Sequence, residues 1–338
     1  MKKTITLFLV SVMLASSAYA GGFQINEHGA RAMAMGGAFT GLANDPSAIY
    51  FNPAGIAQLK GTQFYAGATM ILPISSFALP KPSTTEYEMK SQVFSPINFY
   101  VTQQLSEKFY AGISVNNQYG LGTKWDPNWI GRYLAVETEV RTFFITPVVA
   151  YKFSDNFSLS VGATYAFADV KIARKSPNPN PTQSEPLIDM NGTATAFGFT
   201  AGLLYKPSSK FQLGLSYRSE SKFDFSGTVV SNPATFTHPL LKVNLPFPYG
   251  DIKAPLTTPQ NITFGLAYIP DDRWTATFDF QYIGWSSYNK LEVTFSSYDL
   301  DLNPANGVQN VQSVVRDYQN TFIVRGGLEY KASDSFAL

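Results

Sequence analysis

Moving a proton near neutral pH is work for histidine, and the chain has two, His28 ahead of the first predicted strand and His238 in a long connection. Nucleophilic catalysis needs such a base within reach of a hydroxyl or thiol. Neither histidine lies on a predicted strand beside a plausible serine, and there is no cysteine. No metal-ligand spacing is present, so no catalytic residue, metal or cofactor is expected. The remaining chemistry is non-covalent. Trp125, Trp129, Tyr133 and Leu134 in one connection, with Phe236, Leu240, Leu241, Leu245 and Phe247 in another, are too apolar for ordinary solvated loops. They form either a capture site for hydrophobic molecules or a lid packed on itself. Such a ligand is sorted rather than transformed, each buried methylene contributing about 0.8 kcal/mol before ordering costs.

These residues are held by elements that polar turns mark out: Ser106 to Lys108, Ser154 to Asn156, Pro207 to Lys210, Pro270 to Arg273, and Lys331 to Ser335. Each is followed by Phe or Trp and then by alternation at period two. Phe157, Leu159, Val161, Ala163, Tyr165 and Phe167 oppose Ser158, Ser160, Gly162, Thr164 and Ala166. Trp274, Ala276, Phe278, Phe280 and Tyr282 likewise oppose Thr275, Thr277, Asp279 and Gln281. Such alternation also fits a soluble sandwich. Strands of about ten residues, aromatics at strand ends, and short turns alternating with long connections point instead to a transmembrane antiparallel β-barrel. The long connections are Gly120 to Ala135, Ser176 to Asp189, Ser226 to Pro255 and Ser296 to Ser313. Charged residues are 14% and aromatics 15%, with net charge +1, which leaves no cationic field for nucleic acid.

Lys2 and Lys3, the apolar run Ile5 to Ala15 and the small-x-small site Ala18-Tyr19-Ala20 read as an export signal over residues 1–20, with Gly21 as mature N-terminus. The apolar run is shorter than the roughly 20 residues of a spanning helix. Residues 21–60 do not alternate, carry few charges, and contain Phe23, Phe39, Ile49, Tyr50 and Phe51, with a helix-compatible stretch Ala30 to Met35. A disordered leader would be polar, so this segment is expected to fold as a plug inside the barrel. Arg218, Glu220, Asp279, Arg325 and Glu329, on the polar strand faces, either line a path or, as the preferred reading, brace the lumen and plug.

The barrel proper, 61–338, should hold strands near 61–72, 93–105, 109–119, 137–153, 157–174, 194–206, 211–225, 257–269, 274–294 and 318–330, with an eleventh opening at Phe336. Bacterial single-chain barrels close with an even number of strands. C-terminal strands are therefore expected to be missing from this sequence.

The plug segment is where a family resemblance enters. Gly22-Phe23-Gln24-Ile25-Asn26-Glu27, Gly36-Gly37-Ala38-Phe39 and Asn44-Asp45-Pro46-Ser47-Ala48, running into Asn52-Pro53-Ala54-Gly55, resemble the N-terminal hatch of the FadL-type long-chain fatty-acid transporters. The likeness continues through Tyr119 to Thr123, Lys171 to Arg174, Tyr217 to Glu220, Asp224 to Gly227 and Trp285-Ser286. It implies a fourteen-stranded barrel closed by a hatch with the motif Asn52, Pro53, Ala54. Ligand would be captured by extracellular loops, passed to an inner pocket and released sideways at a kink in the third strand, at Asn117 to Gly120. It also implies Arg174 beside the ligand head group and Phe23, at the hatch end, touching the pocket. A second basic position of some relatives falls near Val314, with Arg316 close by.

The expected function is outer-membrane uptake of hydrophobic compounds, foremost long-chain fatty acids, by a monomer in contact with outer-membrane lipid and lipopolysaccharide. An aromatic-hydrocarbon channel of the same family and a general porin are the alternatives. A porin would leave an open charged channel rather than spend forty residues on a plug.

Overall fold

The short polar turns at 106–108, 154–156, 207–210 and 270–273 become tight reversals, because two alternating segments joined by a few polar residues pair most readily with one another. The computed structural model describes residues 22–299, 308–333 and 336–338. The export signal and part of the connection Ser296 to Ser313 lie outside them. In chain order the strands are β1 (Thr62–Ala68), β2 (Ser76–Ala78), β3 (Glu86–Glu88), β4 (Ile97–Gln104), β5 (Phe109–Asn116), β6 (Gly120–Lys124), β7 (Glu137–Ser154), β8 (Phe157–Lys175), β9 (Leu187–Ser208) and β10 (Phe211–Arg218). There follow β11 (Ser221–Asn232), β12 (Thr235–Thr237), β13 (Asn244–Pro246), β14 (Gly250–Thr258), β15 (Asn261–Tyr268), β16 (Trp274–Ile283), β17 (Lys290–Phe295), β18 (Val311–Val315), β19 (Thr321–Ser333) and β20 (Phe336–Ala337).

One antiparallel sheet runs β1-β4-β5-β7-β8-β9-β10-β15-β16-β19-β20. β6, β11, β14, β17 and β18 continue its members at the end opposite the short turns. Hairpins β2-β3 and β12-β13 stand apart from it. The sheet curls, since neighbouring residues of the N-terminal segment touch strands far apart along it: Ala30 N donates to Tyr65 Oη on β1, and Arg31 pairs with Glu329 on β19.

The two faces invert the soluble pattern. Phe197 is 76% exposed and Val161 60%, while small and polar residues such as Ser158, Ser160, Thr164 and Thr200 face inward and are buried. Lipid is the solvent that suits such an outer face. Cross-strand pairs Phe109–Tyr151, Phe211–Tyr268 and Trp274–Tyr330 stand near the short turns, and Phe143–Phe167 lies toward the other end. These are the interfacial aromatics of a membrane wall.

Several bounds differ from expectation. The sixth wall strand starts at Leu187 rather than 194, the seventh runs to Asn232, the eighth starts at Gly250, and Gly120 to Lys124 is strand rather than loop. Ser226 to Pro255 therefore shrinks to a connection over 233–249. In 187–192 Asp189 and Asn191 resemble turn residues. They point outward beyond the apolar band, where a strand edge meets water, while Ile188 and Met190 point in.

Candidate functional site

The N-terminal segment is fastened to the inner wall by groups its own sequence leaves unsatisfied. The backbone N–H groups of Phe39 and Thr40 donate to Asp279 Oδ2 at 3.0 and 2.9 Å. Arg31 makes a two-toothed contact with Glu329, 2.7 and 2.8 Å, and Arg218 Nη2 donates to the Tyr50 carbonyl at 2.8 Å while lying over its ring. Arg325 bonds Gln281, and Glu220 is exposed. Four of the five polar-face charges thus face the interior, and three of them hold the segment.

Asn52, fully buried, donates to the carbonyls of Thr40 and Leu203 and accepts from Ala54 N, so the 3-10 turn Pro53–Gln58 begins locked to the wall. Pro53, at its first position, gives up no needed donor. Thr40-Gly41 passes flush against the wall: a Cβ on Gly265 would lie 2.3 Å from Gly41 N. His28 stacks on Tyr50, with Nε2 3.1 Å from the Ile25 carbonyl and Nδ1 3.4 Å from Tyr100 Oη. It faces no nucleophile.

Above the segment the lumen changes character. The inner face of β8 reads Ser158, Ser160, Gly162 and Thr164, then Ala166, Ala168, Val170 and Ile172, and ends at Arg174. The seventh wall strand makes the same change through a defect. Between β10 and β11 the register against β9 slips by one residue at Ser219-Glu220, which flips the side-chain phase. Phe223 and Phe225, which unbroken alternation would send to lipid with Tyr217, are buried inside. The upper lumen is lined by Ile188, Met190, Val229, Ile252, Val293 and Phe295. Below them lies an aromatic cage in which Phe23 meets Trp285 at 4.9 Å, Tyr288 at 5.8 Å and Tyr119 at 6.0 Å.

The cage stands at a break in the wall. The third wall strand stops at Asn116 and resumes at Gly120 with its register against β7 displaced by one residue. The Asn117 side chain fills the gap, accepting from Ile97 N at 2.7 Å and donating to the Thr142 carbonyl at 2.6 Å, in place of backbone bonds. The N-terminal segment covers it from inside: Gln24 and Tyr119 form an antiparallel bridge, with Ile25 N to Gln118 O at 2.8 Å and Gly120 N to Phe23 O at 3.0 Å. Gly120 lets the segment lie close, since a Cβ would lie 2.8 Å from Ile25 Cδ1 and push that side-chain end aside. A cavity of about 760 Å³ lies at the break, lined among others by Ile25, Tyr119, Leu121 and Phe143.

At the top, Arg174 borders a cavity of about 350 Å³ with Phe236, Phe247, Met190 and Phe295. Its Nη2 donates to Gln312 at 2.9 Å, its Nε is buried without a partner, and among the described residues no carboxylate pairs with it. Leu245 is half-buried, while Leu240 and Leu241 project outward. Trp125 and Trp129 belong elsewhere: they stack at 4.4 Å, are buried, and pack on Met89 and Tyr87 of the β2-β3 hairpin side. Tyr288, the place of the Tyr119 ring in the cage and the orienting role of the Asn117 side chain escaped sequence reasoning. The Ser219-Glu220-Ser221 break was the available signal for the inward turn of Phe223 and Phe225.

The loops are clamped to one another. Arg132 Nε and Nη2 hold Glu185 at 2.8 and 3.0 Å, and Tyr133 also donates to it. The Arg132 guanidinium, then the Tyr133 hydroxyl, hold the Glu185 carboxyl down at about 2. A carboxylate held below its ordinary value stabilises the fold above that value and stops doing so as pH falls through the lowered one. Amide exchange protection of 132–136 should therefore be unchanged from pH 7 to 5 and weaken progressively as pH falls from about 4.5 to about 2. Glu185→Gln should weaken it already at neutral pH. Equal protection in the two proteins at pH 7 would remove the clamp.

The match of this chain to known proteins follows the same layout. It is 24% identical over 373 residues to the long-chain fatty acid transport protein of Escherichia coli strain K12, covering 97% of this chain and 82% of that one. Its fold matches the crystal structure of a Pseudomonas aeruginosa FadL homologue with TM-score 0.71 and 21% identity, over 94% of this chain and 79% of that one. It matches the Pseudomonas putida toluene transporter TodX equally well, TM-score 0.71 at 17% identity, over 94% and 83%. The family model described as outer membrane protein transport protein (OMPP1/FadL/TodX) matches residues 11–338. A wall that is apolar outside, plugged below and greasy above is thus a non-enzymatic outer-membrane transporter of hydrophobic compounds in Gram-negative bacteria, and the chain belongs to the OMPP1/FadL/TodX family.

Proposed function

We propose that the transported compound is a long-chain fatty acid, captured beside Arg174, drawn down the apolar lumen to the Phe23 cage and released sideways past Asn117 and Gly120. The observation that carries this reading is Arg174 itself, a cation at the head of an apolar track and without a carboxylate partner among the described residues. Residues 22–60 act as the hatch, with Asn52, Pro53 and Ala54 as its fastening. Below the cage the inner faces turn to Thr146, Thr164 and Asp279, so an acyl chain gains nothing by going further down. Phe236 and Phe247 form the wall of the capture site. Trp125 and Trp129 serve it by stiffening the neighbouring loop.

The relative named for long-chain fatty acid transport supports this choice. A neutral aromatic ligand has one observation in its favour, the ring-lined cage of Phe23, Tyr119, Trp285 and Tyr288. The Arg174→Ala variant separates the two. A hydrogen bond to a charged group contributes roughly 1.5 to 3 kcal/mol, so oleate affinity should fall about ten- to a hundredfold. Affinity for a neutral hydrocarbon of equal length should hardly change. Equal losses for both ligands, measured by calorimetry or fluorescent displacement, would remove the carboxylate role.

A further inference from the structure

The connection 233–249 folds into the β12-β13 hairpin, in which Phe236 pairs with Leu245 and Phe236 stacks on Phe247 at the edge of the Arg174 cavity. The other end of the same hairpin is a fixed tip. His238 Nδ1 accepts from the backbone N–H groups of Leu240 and Leu241 at 3.3 and 3.1 Å, His238 N bonds the Val243 carbonyl at 2.8 Å, and Lys242 takes a left-handed conformation, φ 57°. The stem is braced: Thr237 N donates to Gln183 Oε1 at 2.9 Å, and Asn180 Nδ2 donates to the Thr237 carbonyl at 3.0 Å. This ordered tip leaves Leu240 83% and Leu241 66% exposed, with Val243 beside them.

Apolar side chains held rigidly in water, on a stem that ends at a ligand cavity, call for a partner. Charge selects its sign. From Pro233 to Tyr249 there is no Asp or Glu, and Lys242 is the one formal charge. An anionic apolar surface fits such a tip, as lipid surfaces are met by aliphatic residues set among basic ones.

We propose that the 238–243 tip docks on an anionic lipid surface presented from outside the cell, a vesicle or micelle carrying fatty acid, and so delivers ligand from an apolar phase directly to the Arg174 cavity. The choice of a fatty-acid-bearing surface rests on the proposed function, whereas the docking of the tip does not. Contact with the particle spares the acyl chain a passage through bulk water, which is the slow step for so insoluble a ligand.

The test uses the full chain reconstituted in lipid nanodiscs. A Leu241→Trp reporter should shift to shorter emission wavelength, relative to the parent protein, when phosphatidylcholine vesicles containing oleate are added. Vesicles without oleate should produce less of this shift. The double variant Leu240→Ser/Leu241→Ser should slow oleate transfer from those vesicles about tenfold and leave the affinity for dissolved oleate at the parent value. Arg174→Ala should instead reduce affinity from either source, so loss of the head-group reading and loss of the docking reading are distinguishable. The proposal is overturned if the reporter ignores oleate vesicles that load the parent protein. It is also overturned if the reporter shifts with protein concentration alone, which would mean that a second copy covers the tip. Equal slowing of transfer for dissolved and vesicle-borne oleate would overturn it as well, making the tip part of the cavity.

Discussion

With cysteines in place of Gln24 and Tyr119, the oxidised protein should bind oleate as the parent does and carry uptake only at background level, and a reductant should restore it. The two residues are bridge partners whose flanking bonds, Ile25 N to Gln118 O and Gly120 N to Phe23 O, identify a non-hydrogen-bonded pair. Such pairs bring Cα atoms to about 4.5 Å, at the near end of disulfide range. The chain has no cysteine of its own to scramble the bond. The proposed capture site beside Arg174 is untouched, whereas the segment that covers the break in the third wall strand can no longer leave it. Tyr119→Cys alone, and the reduced double variant, control for loss of the ring. Transport of oleate by the oxidised protein at the reduced rate would end the lateral route.

Asp279→Ala should loosen residues 22–60 without unfolding the wall. The buried carboxylate accepts from Phe39 N and Thr40 N, and removing it leaves two interior donors without their partner, at a combined cost of about 3 kcal/mol. That corresponds to roughly a hundredfold rise in the population of the detached segment. Limited proteolysis should cut residues 22–60 correspondingly faster while the wall remains heat-modifiable on gels, and planar bilayers should show ion conductance that the parent lacks. Asp279→Asn, which keeps an acceptor oxygen, should recover most of the protection. Unchanged cleavage of the Ala variant would place the anchoring elsewhere, with Arg31–Glu329 as the next pair to break.

The wall was legible because its alternation is strict where lipid makes it so. Leu159, Val161 and Tyr165 had to face one way and Ser158, Ser160 and Thr164 the other, and the short turns fixed which strand meets which. Legibility failed above the lipid band, where Asp189 and Asn191 face water and resemble a turn although the strand continues. It failed again at the one-residue slips, since three polar residues at Ser219-Glu220-Ser221 mark a break without saying that the phase of Phe223 and Phe225 reverses across it. The roles of Arg218, Asp279 and Glu329 could be narrowed to bracing, because charges facing a lumen that also holds an apolar segment need partners there. Their partners could not be foreseen, since Phe39 N, Thr40 N and the Tyr50 carbonyl are backbone groups whose placement depends on the whole segment. Arg174, Phe236 and Phe247, drawn from a strand end and a connection far apart in sequence, meet only because β8 and the β12-β13 hairpin rise to the same height.

Along the strands that flank the break, the wall is held by ladders of backbone bonds that cannot be broken singly. At Asn117 it is sealed by one rotatable side chain with two bonds, to Ile97 N and the Thr142 carbonyl. At a net 0.5 to 1.5 kcal/mol for each such bond, turning that side chain aside costs about 1 to 3 kcal/mol. A state at that height is occupied by about one molecule in six to about one in 160 at any instant. On this count the side chain is a weak latch, and the bridge of Gln24 to Tyr119 behind it is what a ligand on the proposed lateral route has to displace. Such a latch turns aside unaided in a small fraction of the resting population, so on the proposed route the movement of residues 23–25 decides when the way is clear.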